Sequence, residues 1–151
     1  MKPSYSNTVT QVTRLILIFL FAYTAVNKLL NLDVFRQSMM VAHIPEGLAE
    51  IISVIVPVSE IILVLLLTIN QTKRLGLYGS LIIFLVFTGY IIYMKLWLSK
   101  LPCSCGGVIQ KLTWNQHLFL NILLTVLIYY VIMVDKKNGE QNLYYNKQVT
   151  S

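Results

Sequence analysis

The sequence predicts an all-α protein, a four-helix transmembrane bundle running up and down. Three observations carry that prediction. The chain has 151 residues, of which 56% are hydrophobic and only 12% charged, more apolar surface than a soluble domain of this size buries. Its mean hydropathy is +0.69. Its apolar residues fall into long runs over 12–30, 48–69, 75–98 and 114–134, each long enough to cross a hydrocarbon core of about 30 Å, which takes roughly 17 to 25 helical residues.

Lys2 and Arg14 precede the apolar stretch from Leu15 to Phe21 in the first run, and the small residues Ala22 and Ala25 follow it, a pattern shared with secretory signals. The run continues through Val26 and Lys28 to Leu30, however, and three further spans must thread beside it. It is expected to remain as a span. Segment 33–47 joins the first two runs. There Phe35, Met39 and Met40 share part of one helical face, as in an amphipathic turn at the membrane interface, a reading preferred for them and for His43 over a metal site. Pro57 in the second run is expected to kink the helix and free a carbonyl. The third and fourth runs are joined by a short loop that holds both cysteines. Residues 135–151 are polar, with little apolar periodicity, and are expected to form a disordered tail.

An even number of spans puts both termini on one side. With the short turn around Lys73 and Arg74, that side holds Lys2, Arg14, Lys73, Arg74, Lys136, Lys137 and Lys147; the other holds Lys28, Arg36, Lys95, Lys100 and Lys111. The excess of basic residues on cytoplasmic flanks therefore predicts cytoplasmic termini in a bacterial inner membrane, with the cysteine loop on the periplasmic or outer face. The net charge of +6 is spread over span ends rather than gathered in a basic domain. It fits contact with membrane lipid headgroups and gives no reason to expect a nucleic-acid partner.

Cys103 and Cys105, in Leu101-Pro-Cys-Ser-Cys-Gly-Gly107, are all the thiols in the chain. A disulfide between cysteines one residue apart closes a small, strained ring, more useful as an oxidant than as a staple. Lys100 and Lys111 flank the loop and favour thiolate. Since disulfides persist outside the cytoplasm, the pair predicts thiol-disulfide exchange through a mixed disulfide. A chain with two cysteines cannot relay electrons between internal pairs, so it needs a thioredoxin-like or other exported thiol partner, or a direct oxidant such as quinone.

Trp114, His117 and Asn121 lie at i, i+3 and i+7, on one helical face below that loop, where a quinone head group could dock. The same residues also suit an interfacial anchor, a headgroup-level histidine and an interhelical hydrogen bond. Glu60 lies near the middle of the second run, where an ionisable group points to function by default. It is expected to be protonated or hydrogen-bonded to Tyr23, Tyr90 or Asn121, as a proton carrier or a structural anchor. Lys28, nearer the outer end of its helix, is expected to snorkel and to pair with Glu50 rather than Glu60.

Tyr23-Thr-Ala-Val-Asn-Lys28 with Phe35, Pro57-Val-Ser-Glu60, Cys103-Ser-Cys-Gly-Gly107 and Trp114-Asn-Gln-His-Leu-Phe-Leu-Asn121 occur in that order on a four-span frame. In this the chain, from about residue 14 to 134, resembles the MauE branch of the DoxX-like membrane proteins. Members often carry Cys-Gly-Cys-Phe-Gly where this chain has Cys-Ser-Cys-Gly-Gly. The resemblance implies a redox-associated role in maturing an exported enzyme, such as the disulfide-rich small subunit of methylamine dehydrogenase. Two other functions fit the residues: a non-catalytic membrane subunit or anchor of a respiratory or dehydrogenase complex, and Cu(I) handling by the two thiolates with Met39, Met40 or Met94.

Overall fold

A computed structural model describes the backbone of residues 5–97 and 114–149, and the side chains of residues 8–96 and 115–136. The described residues form five helices and no strand: α1 (Tyr5–Leu30), α2 (Leu32–Val41), α3 (Glu46–Thr68), α4 (Lys73–Trp97) and α5 (Trp114–Val149). Four of them contain stretches long and apolar enough to cross a membrane, Thr8–Leu30, Glu46–Thr68, Lys73–Leu96 and Asn115–Lys136. These match the expected spans to within a few residues. Their outward faces carry Phe19, Leu30, Ile82, Phe119 and Val126, all exposed, as suits side chains that meet lipid rather than water. The cysteine loop lies outside the described residues.

Each span buries one stripe. On α1 the stripe is Leu17, Phe21, Ala25 and Lys28, and on α3 it is Ala49, Ser53, Pro57, Glu60, Leu63 and Leu67, both at the three-to-four-residue spacing of a helix face. The two stripes pack antiparallel: near one end Arg14 donates to the Asn70 side chain at 2.9 Å and to the Thr68 carbonyl at 3.2 Å, while near the other Lys28 meets Glu60. At the Arg14 end, α4 and α5 are joined by Arg74, whose Nε donates to Asp135 at 2.7 Å. At the far end Lys95 donates to Asn115 at 2.6 Å. Both described chain ends therefore lie at one end of the bundle, and the chain leaves α4 and enters α5 at the other.

Small residues let α3 and α4 approach closely. A Cβ on Gly76 would stand 3.0 Å from the backbone nitrogen of Leu67, and one on Gly79 would stand 2.6 Å from Leu63 Cδ2. Ser80, one turn beyond Gly76 on the same face, is fully buried and returns its hydroxyl proton to the Gly76 carbonyl at 2.7 Å. Without a hydrophobic drive between helices inside lipid, such small-residue contacts supply much of the adhesion.

α2 packs on α3 through Phe35, Met39 and Ala49, so the segment read as an amphipathic turn is a helix with its apolar face in the core. It ends in a Schellman motif: the Ile44 amide donates to the Met39 carbonyl at 3.2 Å and the His43 amide to the Met40 carbonyl at 3.0 Å. His43 takes the left-handed position with φ 62°. Pro57 sits inside α3, where its missing amide removes one rung of the helix ladder. α5 continues as helix to Val149, in place of the expected disordered tail. Asp135 is held by Arg74 and Lys73 at the end of the span, and many residues beyond it, including Lys136, Lys137, Glu140 and Gln141, have good helix propensity.

The α3–α4 contact yields a prediction. Gly76→Val should lower unfolding stability in detergent by about 1–3 kcal/mol, because the opposing atom is backbone and cannot step aside. Gly79→Ala should cost less, since the tip of Leu63 can rotate away. Equal stability of Gly76→Val and the parent, read by loss of helix content on titration with denaturant, would contradict this packing.

Candidate functional site

The half of the bundle that holds the chain ends has a packed apolar interior. Leu17, Leu63, Leu67, Leu77, Leu124, Ile128 and Val131 fill it. The other half encloses a cavity of about 280 Å³, walled by all four spans and roofed by α2. Phe21, Phe84 and Leu124 line it toward the packed half, and Phe35, Met39 and Ile44 line it toward the end away from the chain termini.

Lys28 and Glu60 sit in the wall of this cavity. Their side chains are 8% and 1% exposed and form a direct ion pair. The Lys28 ammonium also lies over two rings, 5.5 Å from the centroid of Phe35 and 4.9 Å from that of Phe87, which adds a cation–π contribution that is larger where water is excluded. This pair corrects the expectation that Lys28 would snorkel outward to Glu50. The reason is geometric. Side chains on a helix tilt toward its N-terminus, and α1 and α3 are antiparallel, so Lys28 leans inward along α1 while Glu60 leans outward along α3. The two converge from different depths. α2 closes the outward route with Phe35.

Glu60 also does not take Tyr23, Tyr90 or Asn121 as its hydrogen-bond partner. Tyr23 is engaged elsewhere, with its ring stacked on Phe19 at 6.4 Å. Tyr90 and Asn121 do line the cavity, and the Asn121 amide donates to the His117 carbonyl at 2.9 Å. Only one Glu60 oxygen is satisfied. Oε2 is buried and has no hydrogen-bond partner, and the nearby Thr24 hydroxyl is directed to the Phe21 carbonyl at 3.2 Å.

Of the residues singled out from sequence, the fold brings Lys28, Glu60, His117 and Asn121 to one cavity. The side chain of Trp114, and Cys103 and Cys105, lie outside the described residues. Sequence reasoning did not pick out Phe87 or Ser38, or the roofing role of α2. A signal for Lys28 was present: it stands seven residues after Phe21, two helical turns along the same buried face.

The whole arrangement is a mostly apolar chamber with one ion pair and one buried carboxylate oxygen left without a partner. Such a chamber suits an uncharged ligand that offers a hydrogen-bond donor, and the pair can lend or take a proton. Met39 belongs to the apolar cluster with Phe35 and Ala49.

A family model described as methylamine utilisation protein MauE matches residues 6–134, a stretch that takes in the first three spans, the cysteine loop and nearly all of the fourth. No curated protein and no solved structure matches the chain.

Removing one partner of the ion pair strands the other in a low-dielectric interior. Lys28→Met and Glu60→Leu should each destabilise the bundle by about 3–5 kcal/mol, whereas the two changes together should cost far less than the sum. Unfolding by denaturant in detergent measures all three, and strictly additive losses would rule out a coupled pair.

Proposed function

Because the chain belongs to the family described as methylamine utilisation protein MauE, whose members resemble redox-associated maturation proteins, we propose that it is a multi-pass membrane thiol-disulfide protein acting on an exported partner through Cys103 and Cys105. The observation that supports this reading most is placement. Both thiols belong to one short segment, and its two ends are tied by Lys95 and Asn115 at the end of the bundle away from the chain termini. With the termini in the cytoplasm, as the basic residues Arg14, Lys73 and Arg74 at their end favour, that segment faces the compartment where disulfides persist.

The exchange is balanced within protein sulfur. A partner thiolate attacks the Cys103–Cys105 disulfide, forming one S–S bond as one breaks. The partner's second thiolate then resolves the mixed disulfide, leaving an oxidised partner and two thiols on this chain. The tight spacing favours release of the ring strain in the first step. Maturation of a disulfide-containing enzyme, as in methylamine utilisation, is the role in which such an exchange fits the family.

Acid quenching of intact cells, followed by a membrane-impermeant alkylating reagent with and without prior reduction, tests the reading. The pair should be modified from outside and should change redox state when the cell's oxidants are depleted. Single Cys103→Ser and Cys105→Ser variants cannot close the disulfide and should leave the partner's thiols reduced while the bundle still inserts. A pair that never changes state, or single variants that mature the partner normally, would leave a structural subunit or anchor instead.

A further inference from the structure

The cavity has a property that the thiol chemistry alone does not use. It lies within the spans yet reaches the lipid-facing surface, because Val86 both lines it and is 63% exposed on the outside of α4. A ligand can therefore enter from the bilayer. Its walls are mostly aromatic and aliphatic; apart from Thr24 and Ser38, whose hydroxyls are spent on backbone carbonyls, its polar groups are Lys28, Glu60, Tyr90, His117 and Asn121. This is the usual composition of a small-molecule site.

Charge narrows the ligand class. An anion such as a lipid phosphate would meet the bare Oε2 of Glu60, and Lys28 is already neutralised by that same carboxylate. A cation would meet the Lys28 ammonium, which already occupies the faces of Phe35 and Phe87. A neutral ring escapes both objections if it carries oxygens that accept a hydrogen bond in one redox state and donate in the other. Lys28 can donate to a ring carbonyl, and Glu60 Oε2 can accept from a ring hydroxyl, the one contact that satisfies a buried oxygen otherwise left without a partner.

The geometry points to a quinone site: the cavity between α1, α3, α4 and α5 binds the ring of a membrane quinone or quinol, with Lys28 and Glu60 as its polar contacts. If the thiol reading above holds, the bound quinone is the electron sink. Two thiols lose two electrons and two protons as their S–S bond forms, and the quinone takes both pairs to become the quinol. The Lys28 and Glu60 pair supplies a place where a proton can wait beside the ring.

Binding can be measured apart from thiol chemistry. Full-length protein in quinone-free lipid nanodiscs would be titrated with decylubiquinone, and bound quinone counted after rapid separation and extraction. We expect saturable binding near one ring per chain. Cys103→Ser with Cys105→Ser should bind equally well. Glu60→Gln should bind more weakly by about tenfold, and Val56→Phe, which fills the chamber one turn from Glu60, should abolish saturation while helix content and melting stay near the parent's. Uptake that merely follows lipid content and is the same in the Val56→Phe protein would overturn the site even if the cysteines still exchange with a partner. Saturable binding with inert cysteines would instead keep the site and remove the thiol reading.

Discussion

The ion pair between Lys28 and Glu60 is the constraint around which the half of this protein away from the chain ends is arranged. Neither charge could remain at that depth alone, since an isolated ionised group in hydrocarbon is costly enough that it normally moves to the interface or loses its charge. Together, with two aromatic rings facing the ammonium, they are tolerated. Holding them together requires α1 and α3 to be antiparallel, at a register that lets both side chains lean toward one another. It also requires α2 to cover the outer opening. The helix that looks like a connector is thus part of the site, and its left-handed stop at His43 returns the chain to α3 at the right place.

Packing divides the bundle into two halves with different tasks. Leucine, isoleucine and valine fill the half near the chain ends, and Arg14, Arg74 and Asp135 tie its rim. Surface hydrogen bonds and ion pairs of that kind add little individually, but here they fix which helix ends are neighbours. The close approach at Gly76 and Gly79 sets the α3–α4 crossing and leaves the far half free to open into a chamber. A hollow in lipid needs a rigid frame around it, because empty space forfeits dispersion contacts on its walls. The chamber and the packed half are therefore complementary.

Much of this was legible in the residues. Four long apolar runs, with every charge but one near a run end, leave few alternatives to a membrane bundle, and the exception, Glu60, announced itself as a polar group too deep to be incidental. What the sequence concealed was relative depth. Counting residues along each span puts Lys28 near an outer end and Glu60 near a middle, and suggests they do not meet. Antiparallel packing with opposed side-chain tilt closes that gap, and only the three-dimensional register reveals it. α2 was concealed for a different reason. Ten residues with a mixed composition read as an interfacial turn until Phe35, Ser38 and Met39 are seen buried against the spans. His117 and Asn121 were visible as one face of a helix, but the same pattern fits an ordinary packing face, and only the cavity gives them a common surface.

The ion pair can be observed directly by solid-state NMR of the full-length protein in lipid bilayers, with lysine labelled by ¹⁵N at Nζ and glutamate by ¹³C at Cδ. Lys28 and Glu60 form the one lysine–glutamate contact among the described residues, so a dipolar coupling of contact strength should appear and should vanish in Glu60→Gln. Its absence from the parent protein, with Lys28 in exchange with water, would place that lysine at the interface and dissolve the site built around it.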